Sequence, residues 1–439
     1  VAQSAIILTE RMLTDLSRHA SYIQIAGETE ACLKEHVLDR WFPQAADEDY
    51  GGFNQFFRED WSQEPSTSRS LVYQARLTWV SAKAAKRYPA SDGLYRSMAL
   101  HGLNFLRHNM WDSSSGGLFW ALDAAGEQVA WKHTYGIAFA IYAAAATFDL
   151  TLDDESLTLA CESLSWLEKH AHDPVNGGYY EALRLEGQPF LGPEGAPDLT
   201  KYGLRRGRDC IGTLYGLKSM NSHIHLLEAF SELYRVWPKP HLRSRLQEIF
   251  EILIERVLHP DGFLHLYFEP NWTVVPSEDS YGHDIETAFL LVEAAEALDI
   301  PEDHRTWQAA RRIVDHTLRV GWDEQYGGIF REGDPDSGPT TSGQSCKGWW
   351  EQAESLNALL LMHERFGGET DRYWTAFLRQ WEFITSHQID KKYKGWYHTL
   401  TREGVPPTHA RKSDAWTDPY HQARALMNVT DRLRKLAGI

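Results

Sequence analysis

Apolar residues return at i, i+3, i+4 and i+7 through RSLVYQARLTWVSAKAAKRY (69–88), YGIAFAIYAAAATF (135–148) and WWEQAESLNALLLMHERF (349–366). That period places them on one helical face, so each stretch is expected to be a helix with one side buried. Between such stretches lie short runs of alternating or aromatic character, each opened by glycine. They are YGGFNQFF (50–57), SGGLFWAL (115–122), NGGYYEAL (176–183), PDGFLHLYF (260–268), YGGIFREG (326–333) and YKGWYHTL (393–400). The last glycines, Gly52, Gly117, Gly178, Gly262, Gly328 and Gly395, are spaced by 65, 61, 84, 66 and 67 residues, the mark of a repeat architecture. Each unit holds one helix after the hairpin and one before the next. With an N-terminal helix over about 4–42 and a C-terminal one over about 417–436, the pattern predicts twelve helices. Six pairs joined by short β-hairpins at one rim predict an all-α closed toroid of six inner and six outer helices. An open solenoid of helix pairs is the alternative. The helix after each hairpin is expected on the inside. No stretch reads as a linker, so 1–439 is expected to be a single domain.

Hydrophobic residues at 43% and charged residues at 24% describe a soluble globular chain, and no apolar run reaches membrane-spanning length. The start, VAQSAIILTERML, lacks a basic n-region and reads as a helix rather than a signal peptide. A net charge of −17 excludes nucleic acid and anionic membrane as partners. Cys32, Cys161, Cys210 and Cys346 are far apart with no CxxC spacing, which implies reduced thiols in a cytoplasm. The 17 tryptophans fit either a large helical core or a site for sugars, whose C–H faces pack on aromatic rings.

Polar residues that a core would not choose recur at the starts of the post-hairpin helices. They are Arg76, then His133 and Tyr135, then Asn221, His223 and His225, then His283 and Glu286. Trp349, Trp350, Gln352 and Glu354 follow, and the last group is Trp416, Tyr420 and His421. Six inner helices would aim these groups at one end of the barrel, where a pocket is expected. A single histidine near a helix start is ordinarily structural; the recurrence in successive units is what points to function. His223 faces away from His225 and is expected to be structural. Ser280 is a plausible N-cap with His283 in the first turn, and Asp418-Pro419 a plausible N-cap and N1 ahead of His421. A helix N-terminus favours a neutral imidazole able to accept a proton, while Glu286, one turn on, would orient the ring. A metal needs three or more converging ligands, and no HExxH spacing exists, so no metal is expected. Neither a dinucleotide fingerprint nor a phosphate-cradling loop is present, so no cofactor is expected either. Two histidines on different helices suit removal and return of a proton on opposite faces of one carbon, as in epimerisation at C2 of an aldose through an enediolate, with Arg76 stabilising the oxyanion.

The motifs QARLTW, KHTYGIAFAIYA, GGYYEA, KSMNSHIHLLEAF, YGHDIETAFLL, WWEQAESL and DPYHQARAL, in order over nearly the whole chain, resemble the N-acylglucosamine 2-epimerase superfamily, closest to its cellobiose and mannose 2-epimerases. The resemblance implies an (α/α)6 barrel with His283 and His421 as the two general acid/bases at C2. His225 would assist ring opening or hold O1 and O2, and Glu286 would orient His283. Arg76 and Asn221 would bind sugar oxygens, Trp350 and Trp416 would stack on the sugar, and Tyr135, Trp349 and Glu354 would complete the substrate site. The expected substrate is a mono- or disaccharide, and the expected assembly a monomer or homodimer. Several positions depart from cellobiose epimerases: Thr417 stands where Lys is usual, and Glu351 where Pro is usual. Segments 184–217 and 332–346 are longer, are expected on the rim, and make free mannose and glucose candidates beside disaccharides. An aldose–ketose isomerase would use the same enediolate, although Thr273 stands where mannose isomerases carry an Arg. A glycoside hydrolase would need two carboxylates flanking the bond, where Glu286 and Glu354 are the only carboxylates at the recurrent positions. A non-catalytic sugar binder would have no use for paired histidines.

Overall fold

The structure is a computed structural model describing residues 2–123, 125–129, 131–200, 204–339 and 346–439. Twelve helices are present among the described residues: α1 (Ala2–Cys32), α2 (Leu71–Arg87), α3 (Asp92–Phe105), α4 (Thr134–Thr151), α5 (Asp154–His170), α6 (Met220–Val236), α7 (Pro240–Ile252), α8 (Tyr281–Ala297), α9 (His304–His316), α10 (Trp349–Phe366), α11 (Arg372–Phe383) and α12 (Tyr420–Leu436). The even-numbered helices pack side by side, and α12 returns to α2, so the ring closes. Each odd-numbered helix covers its inner partner, α1 covering α12. The fold is therefore an (α/α)6 barrel rather than an open solenoid, with its inner helices the ones that follow each glycine turn. Side chains explain the division. Nearly every residue in the first three turns of α4 is buried, because its small and aromatic residues pack on both faces. The outer α9 buries only one stripe, Ala309, Ala310, Ile313 and Val314 among it. Every outer helix but α5 runs on through a π turn, such as Leu253–Val257 after α7, where the wider turn keeps both Leu253 and Val257 in the core. Among the described residues, no helix is long and apolar enough to cross a membrane.

The expected rim hairpins are simpler than the alternating pattern implied. Each glycine signature closes through one bridge, as in Trp111↔Leu118, His172↔Tyr179 and Trp322↔Ile329. The strands proper are two or three residues long and mostly join neighbouring units: Arg69–Ser70 pairs with Ala121–Leu122, Trp131–His133 with Ala182–Arg184, and Lys347–Gly348 with Thr399–Leu400. Among the described residues, only Lys218–Ser219 heads a three-stranded sheet, with Tyr267–Phe268 and Val274–Val275.

Among the described residues, a buried cation fixes five of the six junctions, the fourth carrying Asp279 in its place. Lys218 Nζ donates to Asp173 Oδ2 (2.7 Å), Gly177 O (2.7 Å) and Pro270 O (2.8 Å), so all three ammonium hydrogens are used. Lys132 repeats this with Asp112, Gly116 O and Leu185 O, and Lys347 with Asp323, Gly327 O and Arg402 O. Arg69–Asp47 and Lys412–Asp390 are the same pair in the first and last units. Each aspartate also accepts two backbone N–H groups of its own turn, as Asp173 does from Val175 and Asn176. Burial pushes the Asp173 carboxyl up, but Lys218, Asn176 and those N–H groups outweigh it and hold it well below the ordinary range. Burial dominates at Lys218 and draws the ammonium down, though Asp173 opposes it. A second contact docks the turn on the inner helix. Gln74, His223, Asp284 and Gln352 accept the backbone N–H of Phe53, Tyr179, Leu264 and Ile329. The glycines leave room for it: at Gly178 (φ +72°) a Cβ would stand 2.7 Å from His223 Nε2 and 2.5 Å from Trp272 Cζ2.

Lys218→Met, which leaves Asp173 buried and unpaired, is expected to lose about 3–5 kcal/mol of stability, and Asp173→Asn in the same chain to recover part of it; urea unfolding of the single and double variants measures both.

Candidate active site

The rim clasps set the phase of the inner helices. Counting from Lys132, Lys218, Asp279 and Lys347, the third and seventh residues share a face and point into the barrel: Tyr135 and Phe139, Asn221 and His225, Gly282 and Glu286, Trp350 and Glu354. Arg76 is the seventh residue after Arg69.

At the centre lies Arg424 of α12, 2% exposed. Its Nη1 donates to Glu228 of α6 and to the Tyr420 hydroxyl, and its Nη2 to Glu286 of α8 and to Glu354 Oε1 of α10 (2.6 Å). One guanidinium thus joins carboxylates from three inner helices. His421 Nδ1 lies 2.6 Å from Glu354 Oε1 and 3.8 Å from Glu286 Oε1. His225 Nδ1 lies 3.0 Å from Glu228 Oε2. His283 Nδ1 lies 2.6 Å from Ser280 Oγ. The indole of Trp350 sits beside both His283 (centroids 4.8 Å apart) and His421 (5.4 Å). Arg76 donates to Asp418 Oδ2 and the Tyr135 hydroxyl, both at 3.1 Å, and lies over the Phe139 ring at 4.4 Å. Tyr135 meets His225 edge-on at 5.1 Å. Among the described residues, the half-buried Asn221 has an Oδ1 without a protein partner. Trp416, 41% exposed, stands at the mouth beside Trp120 and Tyr135.

The electrostatics follow from burial. His283 is drawn down to about 3 by desolvation, with His225, Arg331 and Arg76 adding to it. His421 is held well below the ordinary imidazole value by desolvation, then by Arg76 and Arg424. Both rings are therefore neutral bases near pH 7, each with Nδ1 engaged and Nε2 without a protein hydrogen-bond partner among the described residues. The carboxylates divide. Burial raises Glu228, but Arg424 and His225 outweigh it and bring it to about 2. Glu354 is raised well above its ordinary value because burial and the Glu286 charge exceed what a shared Arg424 returns. Donor atoms of Glu286, Glu354 and His421 converge closely enough to hold a metal ion, but Arg424 Nη2 already supplies the cation between the two carboxylates.

Ten of the eleven expected site residues converge at this mouth and centre. Three expectations are corrected. Glu286 does not orient His283: it bonds Arg424, and the ring is held by Ser280 instead. Ser280 stands at the N-cap position of α8 as expected, its hydroxyl lying 2.6 Å from that imidazole's Nδ1 instead of capping the helix. Trp349, the exception, turns away from the histidine pair and packs near His398, 6.1 Å between centroids. The helix of His421 begins at Tyr420 rather than Pro419, with Asp418 Oδ1 accepting the Tyr420 N–H. His223 is structural, with Nδ1 on Ser219 O and Nε2 accepting from Tyr179. His133 is structural too, bonding Asp209 of the long 184–217 segment. Part of that segment (201–203) and of 332–346 (340–345) lies outside the described residues. Sequence reading missed Arg424 and Glu228, although each stands three residues after a selected histidine and so on its face.

The pattern of the N-acylglucosamine 2-epimerase family matches residues 51–190 and 210–425. A cellobiose 2-epimerase of Bacteroides fragilis is 27% identical over 399 residues, covering 90% of this chain and 96% of the relative. A D-mannose isomerase of Marinomonas mediterranea is 24% identical over 428 residues, covering 93% and 98%. The solved cellobiose 2-epimerase of Spirochaeta thermophila superposes with a TM-score of 0.83 at 30% identity, covering 95% of this chain and 98% of that one.

Arg424→Gln removes the counter-charge of three buried carboxylates and is expected to lose about 3–5 kcal/mol at pH 8. With Glu228 at about 2, its charged form stabilises the native fold above the ordinary glutamate value, and that contribution fades as pH falls toward 2. The deficit of the variant should therefore be larger at pH 8 than at pH 4, which urea unfolding at the two pH values measures.

Proposed function

Because the chain belongs to the N-acylglucosamine 2-epimerase family, we propose that it is a sugar 2-epimerase acting as one catalytic domain. It interconverts glucose and mannose, free or as the reducing-end residue of a β-1,4 disaccharide such as cellobiose. The observation that carries this reading is the pair of neutral imidazoles flanking Trp350, with Nδ1 of each engaged and Nε2 left toward the mouth. After ring opening, one Nε2 removes the C2 proton; the electron pair of that bond forms C1=C2 while the C1=O π pair moves onto O1, giving a cis-enediolate with charge on O1. The other histidine, carrying its single proton on Nε2, delivers it to the opposite face of C2 as C1=O re-forms. The proton gained by the first ring and that lost by the second are exchanged with water before the next turnover. Arg76, always cationic, stands by to stabilise O1, and its grip on Asp418 and Tyr135 aims the guanidinium before substrate arrives. Trp350 and Trp416 offer apolar faces to the sugar, and Asn221 an unpartnered amide oxygen for a hydroxyl.

A second reading, an aldose–ketose isomerase, is favoured by the likeness to a D-mannose isomerase. It differs only in reprotonating the enediolate at C1.

Incubation in deuterated water with glucose, mannose, cellobiose and N-acetylmannosamine separately, read by NMR, distinguishes these outcomes. Deuterium at C2 with exchange between glucose and mannose configurations is expected, and a ketose as main product would make the protein an isomerase. His283→Ala and His421→Ala should each lower the rate by about 10²–10⁴-fold. Since burial takes His283 down to about 3, its base form persists through mild acid, so the acid limb of kcat/KM should fall below the ordinary imidazole value of about 6.5.

A further inference from the structure

The fourth rim junction departs from the others, directly behind His283. Where other units carry Lys132, Lys218 and Lys347, this one carries Asp279; where they carry a turn aspartate, it carries His259. Asp279 (1% exposed) and Asp284 (0%) each place one carboxylate oxygen, and His316 one ring nitrogen, within 4.8 Å of one another. The imidazole does not balance them. His316 Nδ1 lies 3.1 Å from Arg319 Nη2, and a guanidinium only donates, so Nδ1 holds a lone pair and the ring is neutral. Its single proton is then on Nε2 and points at Asp279 Oδ2, 2.7 Å away. Asp284 Oδ1 is occupied by the Leu264 N–H at 3.0 Å. Among the described residues, two buried oxygens remain without a partner, Asp279 Oδ1 and Asp284 Oδ2. Asp284 Oδ2 is 3.9 Å from His316 Nε2, too far for a hydrogen bond. Two carboxylates facing each other with no cation between them do not both ionise.

We infer that Asp284 retains its proton at neutral pH and donates it to Asp279, and that this acid–carboxylate bond replaces the lysine clasp and positions Ser280 and, through it, His283. One proton satisfies both orphaned oxygens. The chain Arg319 to His316 to Asp279 polarises toward Asp279, so the negative charge belongs there and the proton on Asp284. Burial, reinforced by the adjacent Asp279, moves the Asp284 carboxyl well above its ordinary value, in the same direction. Tyr281, whose hydroxyl donates to Asp334 O, lies in the field of both Asp279 and Asp284 and also of the rim carboxylates Asp334 and Glu278. Ser280 follows Asp279 directly and His283 precedes Asp284, so the bond ties both ends of the segment that sets the imidazole. Asp284 is thereby a positioning residue for the proton transfer proposed above, on which this inference rests.

The two asparagine variants separate the protons. Asp284→Asn keeps an oxygen for Leu264 N–H and puts an N–H where the acid proton was. Asp279→Asn offers an amide where two donors must be accepted. Asp284→Asn is expected to melt with the parent, to keep C2 exchange within about threefold, and to move the alkaline limb of kcat/KM upward, because the group that deprotonates is gone. Asp279→Asn is expected to melt lower and lose at least about tenfold in kcat with little change in KM. Infrared difference spectra of the parent and Asp284→Asn should show one protonated-carboxyl C=O stretch lost. Equal damage from both substitutions, an unchanged carboxyl band, or a stoichiometric divalent metal in the parent that both variants lose would overturn the proposal. The melting and infrared arms need no substrate, so a chain with no C2 exchange on any sugar would sink the epimerase reading while they still decide this one.

Discussion

Everything about the mouth of this barrel depends on lysines that no water reaches. Taking an ammonium and a carboxylate out of solvent costs several kcal/mol each, and attraction between them repays this only when every remaining hydrogen and lone pair is met. At Lys218 that condition holds: three hydrogens meet three oxygens, from the turn of its own unit and from the hairpin of the next. The clasp is therefore a positional lock more than a source of stability. It ties the strand residue preceding each inner helix to two hairpins at once. A helix whose first turn is fixed in this way has no freedom to rotate, and the third and seventh residues beyond the clasp face inward in unit after unit.

Deeper in the barrel the balance reverses: carboxylates outnumber their counter-charge. Arg424 holds Glu228, Glu286 and Glu354 together, and a single positive charge does not satisfy three negative ones in a low-dielectric interior. The strain is distributed unequally. Glu228, with His225 and Tyr420 also in reach, stays ionised, whereas Glu354 is driven toward its acid form. His421 leans on Glu354 and His283 leans on the hydroxyl of Ser280. The two imidazoles are thus inequivalent, one backed by a group that can exchange a proton with it and the other by a dipole. For the proposed epimerisation, which accepts a proton on one face of C2 and returns one on the other, that asymmetry would provide a place for the proton to wait.

How legible this was in the chain depended on range. The helices, their number and their inward order follow from period and from the spacing of glycine turns, because both are local. The histidines were legible because a polar residue at an inner-helix start conflicts with a core. The clasps were not recognised, although Asp112 and Lys132 lie only twenty residues apart, because a lysine beside a strand and an aspartate in a turn each have an ordinary surface reading. Arg424 and Glu228 escaped for a related reason: their partners come from helices 196 and 138 residues away, and no local pattern announces that one guanidinium will meet three carboxylates. The assignment of Glu286 to His283 failed on helical phase. Residues three apart share a face broadly, but Glu286 is the seventh residue after Asp279 and points to the barrel axis, while His283 is the fourth and sits toward the rim.

That offset locates the functional departure from the repeat. In the second, third and fifth units the third position carries Tyr135, Asn221 or Trp350; in the fourth it is Gly282, where a Cβ would stand 2.5 Å from Trp350 Cη2 and 2.5 Å from Glu351 Cγ. Removing the side chain there lets the indole of the next unit cross over, and the imidazole is supplied one residue later. The same unit has exchanged its lysine clasp for a pair of carboxyl groups. The exchange of clasp falls at one junction only among the described residues, and it lies on both sides of His283, the histidine it positions.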